Sequence, residues 1–68
     1  MKIEITINGE EKIFDNPLTV EELLGRLEVP QTQIAVAVND SIIARGRFRE
    51  TTLQAGDRIE IVRPLGGG

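Results

Sequence analysis

Three glycines, Gly66, Gly67 and Gly68, follow the strand-like run Arg58-Ile59-Glu60-Ile61-Val62-Arg63 and the pair Pro64-Leu65. Glycine has no Cβ, so such a tail can enter a narrow cleft and take backbone angles closed to other residues. If the chain ends natively there, the group displayed to a partner is an α-carboxylate, ionised at neutral pH. A carboxylate can attack the α-phosphate of ATP and become an activated acyl group. The competing reading is a frayed or added glycine tail with no chemistry at all.

The rest of the composition offers little alternative chemistry. The 68 residues contain neither cysteine nor histidine. That removes thiolate nucleophiles, an imidazole base and the usual zinc-ligand sets, so no metal site is expected. Paired carboxylates could share general acid and base work. Most of the eleven, however, alternate with apolar residues as the solvent-facing members of strands. No catalytic residue is therefore expected. The lack of cysteine also removes any disulfide framework, which suits a reducing compartment.

Length limits the chain to one domain. A chain this short buries only about 60% of its unfolded surface, enough for one small core and too little for a deep active-site cavity. A carrier or adaptor is favoured over a catalyst. Net charge is −3, with three basic and seven acidic residues in Met1 to Ile34 and five and four in Ala35 to Gly68. With this acidic balance and only Phe14 and Phe48 as aromatics, nucleic acid is not an expected partner. No apolar run approaches the roughly 20 residues of a membrane span, and the N-terminus has no leader-like pattern. The expected address is cytoplasmic.

The glycine tail needs a scaffold, and hydrophobic periodicity supplies one. Ile3, Ile5 and Ile7 alternate with Glu4, Thr6 and Asn8, the period of a half-buried strand. Asn8-Gly9 tolerates positive φ, and Lys12-Ile13-Phe14 resumes the extended pattern, so the two runs form a hairpin. Thr19 with Glu22 is a capping box, with Leu18 and Leu23 placed for a hydrophobic staple. Val20, Leu23, Leu24 and Leu27 then line one helix face, and Pro30 marks the helix end. Ile34, Val36 and Val38 alternate with Ala35 and Ala37, the pattern of an interior strand covered on both faces. After the Asn39-Asp40 turn, Ile42-Ile43-Ala44 is a short strand. Arg45 to Gln54 is a loop with one helical turn, anchored by Phe48 and Leu53. A turn at Ala55-Gly56-Asp57 leads into the last strand, with Ile59 and Ile61 facing inward.

Connection rules place these strands in one sheet, with the single helix over its apolar face. The expected fold is α+β: a β-grasp, with a mixed sheet of four to five strands, the first and last side by side at the centre. Residues 1–65 form the domain and residues 66–68 the flexible tail carried past the sheet.

Four segments stand out: Leu18-Thr19-Val20-Glu21-Glu22-Leu23-Leu24; Ile34-Ala35-Val36-Ala37-Val38-Asn39 with Ile42-Ile43 and Arg45; Leu53-Gln54-Ala55-Gly56-Asp57-Arg58-Ile59-Glu60-Ile61-Val62; and the glycine end. In this order and spacing they resemble the ThiS family of ubiquitin-like sulfur carriers of thiamine biosynthesis over nearly the whole chain. Two positions depart from the family pattern, Ala44 in place of proline and Phe48 in place of tryptophan. A third glycine stands where many members end on two.

The resemblance implies a co-substrate. An adenylyltransferase of the ubiquitin-activating type, using ATP and Mg, would adenylate the carboxylate of Gly68, or of Gly67 if the last residue is trimmed. Sulfur from a cysteine desulfurase or a rhodanese-like persulfide would displace AMP and leave a thiocarboxylate. Thiazole synthase would consume it. The chain itself would bind no cofactor and would be a monomer when free. Leu65, Gly66 and Gly67 would be read by the partner's cleft. Arg63, Arg58, Arg45 and Phe48 are candidate partner contacts on the sheet face near the tail, although Phe48 is by residue type more often a core anchor. Three other functions share the fold: the small subunit of molybdopterin synthase, delivering sulfur to a pterin precursor; a protein modifier joined to lysines; and a plain β-grasp interaction module.

Overall fold

The computed structural model describes residues 2–32 and 34–63. Five strands and one α-helix follow the order β1 (Ile3–Ile7), β2 (Glu10–Phe14), α1 (Val20–Arg26), β3 (Ala35–Val38), β4 (Ser41–Ile43) and β5 (Arg58–Val62), with a 3-10 turn at Arg45–Arg47 before β5. The sheet order is β2-β1-β5-β3-β4. β1 and β5 run parallel at its centre, and the other pairs are antiparallel. This is the mixed β-grasp sheet read from the hydrophobic pattern.

Two hairpins have two-residue turns that need left-handed backbone. Asn8 (φ 50) and Gly9 (φ 86) join β1 to β2, and Asn39 (φ 51) and Asp40 (φ 71) join β3 to β4. Paired positive φ values match the right-handed twist of the flanking strands, and asparagine tolerates them better than most residues.

The helix begins on its capping box: the Glu22 N–H donates to Thr19 Oγ1 at 3.1 Å, and the Thr19 N–H to Glu22 Oε1 at 2.8 Å. It ends earlier than Pro30. Leu27 is the C-cap, Glu28 takes φ 58, and the N–H groups of Glu28 and Val29 return to Gly25 O and Leu24 O. This double return closes the helix ends as a Schellman motif, in a position where glycine is usual. A side chain in the left-handed region costs on the order of 1 kcal/mol, partly offset by the lower unfolded-state entropy of a non-glycine residue. Glu28→Gly is accordingly expected to stabilise the fold by about 0.5 kcal/mol and raise the melting midpoint by roughly 2–4 °C. A midpoint that falls in a thermal melt would show the left-handed geometry to be unstrained.

Leu23 and Leu24 of α1 join Ile3, Ile5, Ile7, Leu18, Val20, Val36, Phe48, Leu53 and Ile59 in one core between helix and sheet. The long segment after β4 is stitched to the helix start. The Val20 N–H donates to Thr51 O at 2.9 Å, the Glu21 N–H to Phe48 O at 3.1 Å, and the Leu53 N–H to Leu18 O at 2.8 Å.

One expectation is corrected. β3 is covered on a single face: Val36 is fully buried, whereas Ala35 on the opposite face is exposed. The alanines mark a face without side-chain bulk, Ala35 exposed and Ala37 half-buried.

Candidate functional site

The sheet face turned away from the helix can be read from the pairing register. Ile7↔Ile59 and Val36↔Ile61 put the buried residues of β1, β3 and β5 on the helix side. Thr6↔Arg58, Ala37↔Glu60, Ala35↔Val62, Ala37↔Ile42 and Glu4↔Ile13 therefore define the outer face. Ile13, Ile42 and Val62, 64%, 75% and 56% exposed, all belong to it. Ala35 and Ala37 lie between Val62 and Ile42, so these four residues form an apolar strip across β5, β3 and β4. Glu60 stands beside Ala37 within it. Val62 is the last residue of β5, so the strip reaches the point where the chain leaves the sheet towards the tail.

β5 is fastened at both ends by asparagine side chains from the two hairpin turns. At its start, Asn39 Oδ1 accepts from the Arg58 N–H at 2.9 Å, its Nδ2 donates to Asp57 Oδ1 at 3.0 Å, and the Asn39 N–H donates to Arg58 O at 2.7 Å. Near its end, Asn8 Oδ1 accepts from the Ile61 N–H at 2.8 Å, and Asn8 Nδ2 donates to Ile61 O at 3.3 Å. From the sequence alone both asparagines read as turn residues only. The available signal was a left-handed asparagine flanked by strands, whose short amide can reach a neighbouring backbone.

The arginines fall in different settings. Arg63 directly follows β5 and is exposed. Arg58 is outward-facing and paired with Asp40 at 2.9 Å, so its charge is already partly engaged within the turn network. Arg45 opens the exposed 3-10 turn beyond β4. Phe48 does not belong with them. It is 2% exposed and packs in the core, so the structure removes it from the surface contacts and leaves it as the anchor of the loop. Leu65, Gly66, Gly67 and Gly68 lie outside the described residues.

Elsewhere, a shallow groove beside the helix is lined by Asn16, Pro17, Leu18, Glu22, Gly25 and Arg26. Its one carboxylate, Glu22, is committed to the helix cap. Among the described residues no group of three or more histidine, cysteine or acidic side chains is placed to hold a metal ion. None of their helices is long and apolar enough to cross a membrane. What the geometry offers is an ordered strand end beside an open apolar face.

The model of the ThiS family matches residues 3–68. A thiazole synthase of Paramagnetospirillum magneticum is 39% identical over 66 residues; these cover 97% of this chain but 20% of that protein, so the chain corresponds to one segment of a larger polypeptide there. The sulfur carrier protein ThiS of Escherichia coli is 36% identical over 50 residues, 74% of this chain and 76% of that one. Among solved structures, the thiamine biosynthesis protein ThiS of Geobacter metallireducens superposes with a TM-score of 0.85 at 35% identity, covering 97% of this chain and all of the other.

Proposed function

The chain belongs to the ThiS family, and from that premise we propose that it carries sulfur for thiamine biosynthesis as a thiocarboxylate on its terminal glycine. The observation that supports this best is the family match extending through residue 68, across the glycine end. The chemistry requires little of the carrier. Adenylation joins the Gly68 carboxylate, or that of Gly67 after trimming, to the α-phosphate of ATP and releases pyrophosphate. A sulfur nucleophile then attacks the acyl carbon, AMP leaves, and the C–S bond replaces the C–O bond to AMP. The absence of cysteine removes any internal thiol that could capture the adenylate as a thioester. The carrier is thus a co-substrate, and the activating enzyme supplies the catalytic groups.

Delivery goes to a thiazole synthase. The carrier-like segment within the P. magneticum thiazole synthase supports this choice, since one polypeptide there joins the two. Docking uses the outer strip of Ala35, Ala37, Ile42 and Val62, which leads to the tail, with Arg63 and Arg45 orienting the encounter by charge. Arg58, held by Asp40, contributes less.

The test is intact mass after incubation with ATP, Mg, a ubiquitin-activating-type adenylyltransferase and sulfide. A gain equal to one oxygen replaced by sulfur, located on the last glycine, is the expected result. In Ile42→Asp the conversion should need at least about tenfold more activating enzyme, as a charge set in an apolar contact costs 1.4 kcal/mol or more. No mass gain in the unaltered chain would leave the interaction-module reading in front.

A further inference from the structure

The parallel ladder between β1 and β5 runs through Thr6↔Arg58 and Ile7↔Ile59. There β1 ends, because Asn8 enters the left-handed turn towards β2. The Asn8 N–H still reaches Ile59 O at 2.9 Å, but no further backbone of β1 follows to pair with Ile61. The Asn8 carboxamide takes that place. Like a peptide group it presents one acceptor and one donor, and both meet Ile61: Oδ1 at its N–H, Nδ2 at its carbonyl. Because the Ile61 N–H can only donate, it fixes which end of the amide faces it. On the opposite side β3 pairs with β5 as far as Ala35↔Val62. The side chain of Asn8 therefore holds β5 from the β1 side where the sheet itself has stopped, two positions before Arg63.

We propose that Asn8 is a positioning residue for the chemistry at the tail, an inference that rests on the carrier reading above. Gly68 is the seventh residue after Ile61. A segment of that length reaches at most roughly 24 Å, and the end of β5 sets where it starts, so loosening Ile61 widens the range of positions over which the carboxylate is presented. Reacting atoms must sit about 3–3.5 Å apart, and misplacement on the order of 1 Å can cost a large part of the rate. Docking on the apolar strip does not involve Asn8. Loss of the clamp should therefore lower turnover and leave recognition alone.

Asn8→Gly isolates the effect, since glycine keeps the left-handed turn and removes only the carboxamide. Thr19→Ala serves as a stability control, because it removes the cap hydrogen bond of α1 without touching β5. Steady-state thiocarboxylate formation with ATP, the adenylyltransferase and sulfide is measured for each, with amide hydrogen exchange at Ile61. The expected result for Asn8→Gly is faster exchange at Ile61 and kcat reduced about tenfold with KM for the carrier unchanged, while Thr19→Ala keeps the wild-type kcat. Wild-type kcat in Asn8→Gly, or an equal loss in Thr19→Ala, overturns the proposal. If the unaltered chain takes up no sulfur, the carrier reading fails separately. Exchange at Ile61 then decides the clamp, acceleration in Asn8→Gly supporting it and no change overturning it.

Discussion

A chain lacking Gly67 and Gly68 is expected to fold like the full-length protein and to take up no sulfur. The first half of this expectation follows from the architecture. Among the described residues β5 is the last element, ending at Val62, and the core reaches no further than Ile59 with Ile61 packed against it, so the deletion removes none of these residues. The second half follows from reach. Each extended residue contributes roughly 3.4 Å, so the new carboxylate on Gly66 falls about 7 Å short of its former position. Nucleophilic attack on a bound phosphate needs about 3–3.5 Å, and a shortfall of twice that cannot be made up by side-chain adjustment. Intact mass after the activation reaction and growth without thiamine of a strain dependent on this carrier both read the outcome. Sulfur uptake or growth from the truncated chain would falsify the assignment of the chemistry to the tail. Removal of Gly68 alone separates the two terminal positions. Uptake retained at full rate identifies Gly67 as the carrying residue, whereas loss identifies Gly68.

The sequence was readable where one residue pattern admitted one physical solution. Alternation at Ile3, Ile5 and Ile7 specified a strand with one buried face, and Thr19 with Glu22 specified a helix start, because a capping box satisfies two otherwise unpaired N–H groups at once. The central pairing of β1 with β5 followed from connection rules. What stayed hidden depends on sides and on side-chain reach. Alternating alanines in β3 fit a strand covered twice or a strand whose outer face is bare, and residue type alone does not choose between them. The outer strip became visible only when the register set Val62 against Ala35 and Ile42 against Ala37, residues distant in sequence. The helix end shows a related difficulty. Pro30 is a plain stop signal, but Glu28 in left-handed geometry had already closed the helix, and glutamate does not announce that conformation. For the candidate site, composition and position alone nominate the tail and Arg63. Asn8 was not, since its role needs Ile61 beside it, 53 residues away.

Phe48→Ala is expected to leave the protein largely unfolded. Phe48 is among the largest fully enclosed side chains, 2% exposed, and it anchors the segment between β4 and β5 against the helix start. Removing a buried phenylalanine costs roughly 3–5 kcal/mol through lost transfer energy and the cavity left behind. A single core in a chain of this size supplies only about 3–5 kcal/mol in total, so the cost is comparable with the whole stability. Phe48→Leu fills most of the space and is expected to cost about 1–2 kcal/mol, lowering the urea midpoint while the native state still dominates. This pair of variants separates the two roles open to an aromatic at this position. If Phe48 acts only through the core, Phe48→Leu binds the activating enzyme with wild-type affinity once its folded fraction is taken into account, as titration at low temperature can measure. Weakened binding by folded Phe48→Leu would return Phe48 to the interface and require the loop to open on docking. The burial argues against that opening, because exposing the ring would break the core contacts that hold Leu53 and the helix start together, and with them the scaffold that presents β5 and its tail.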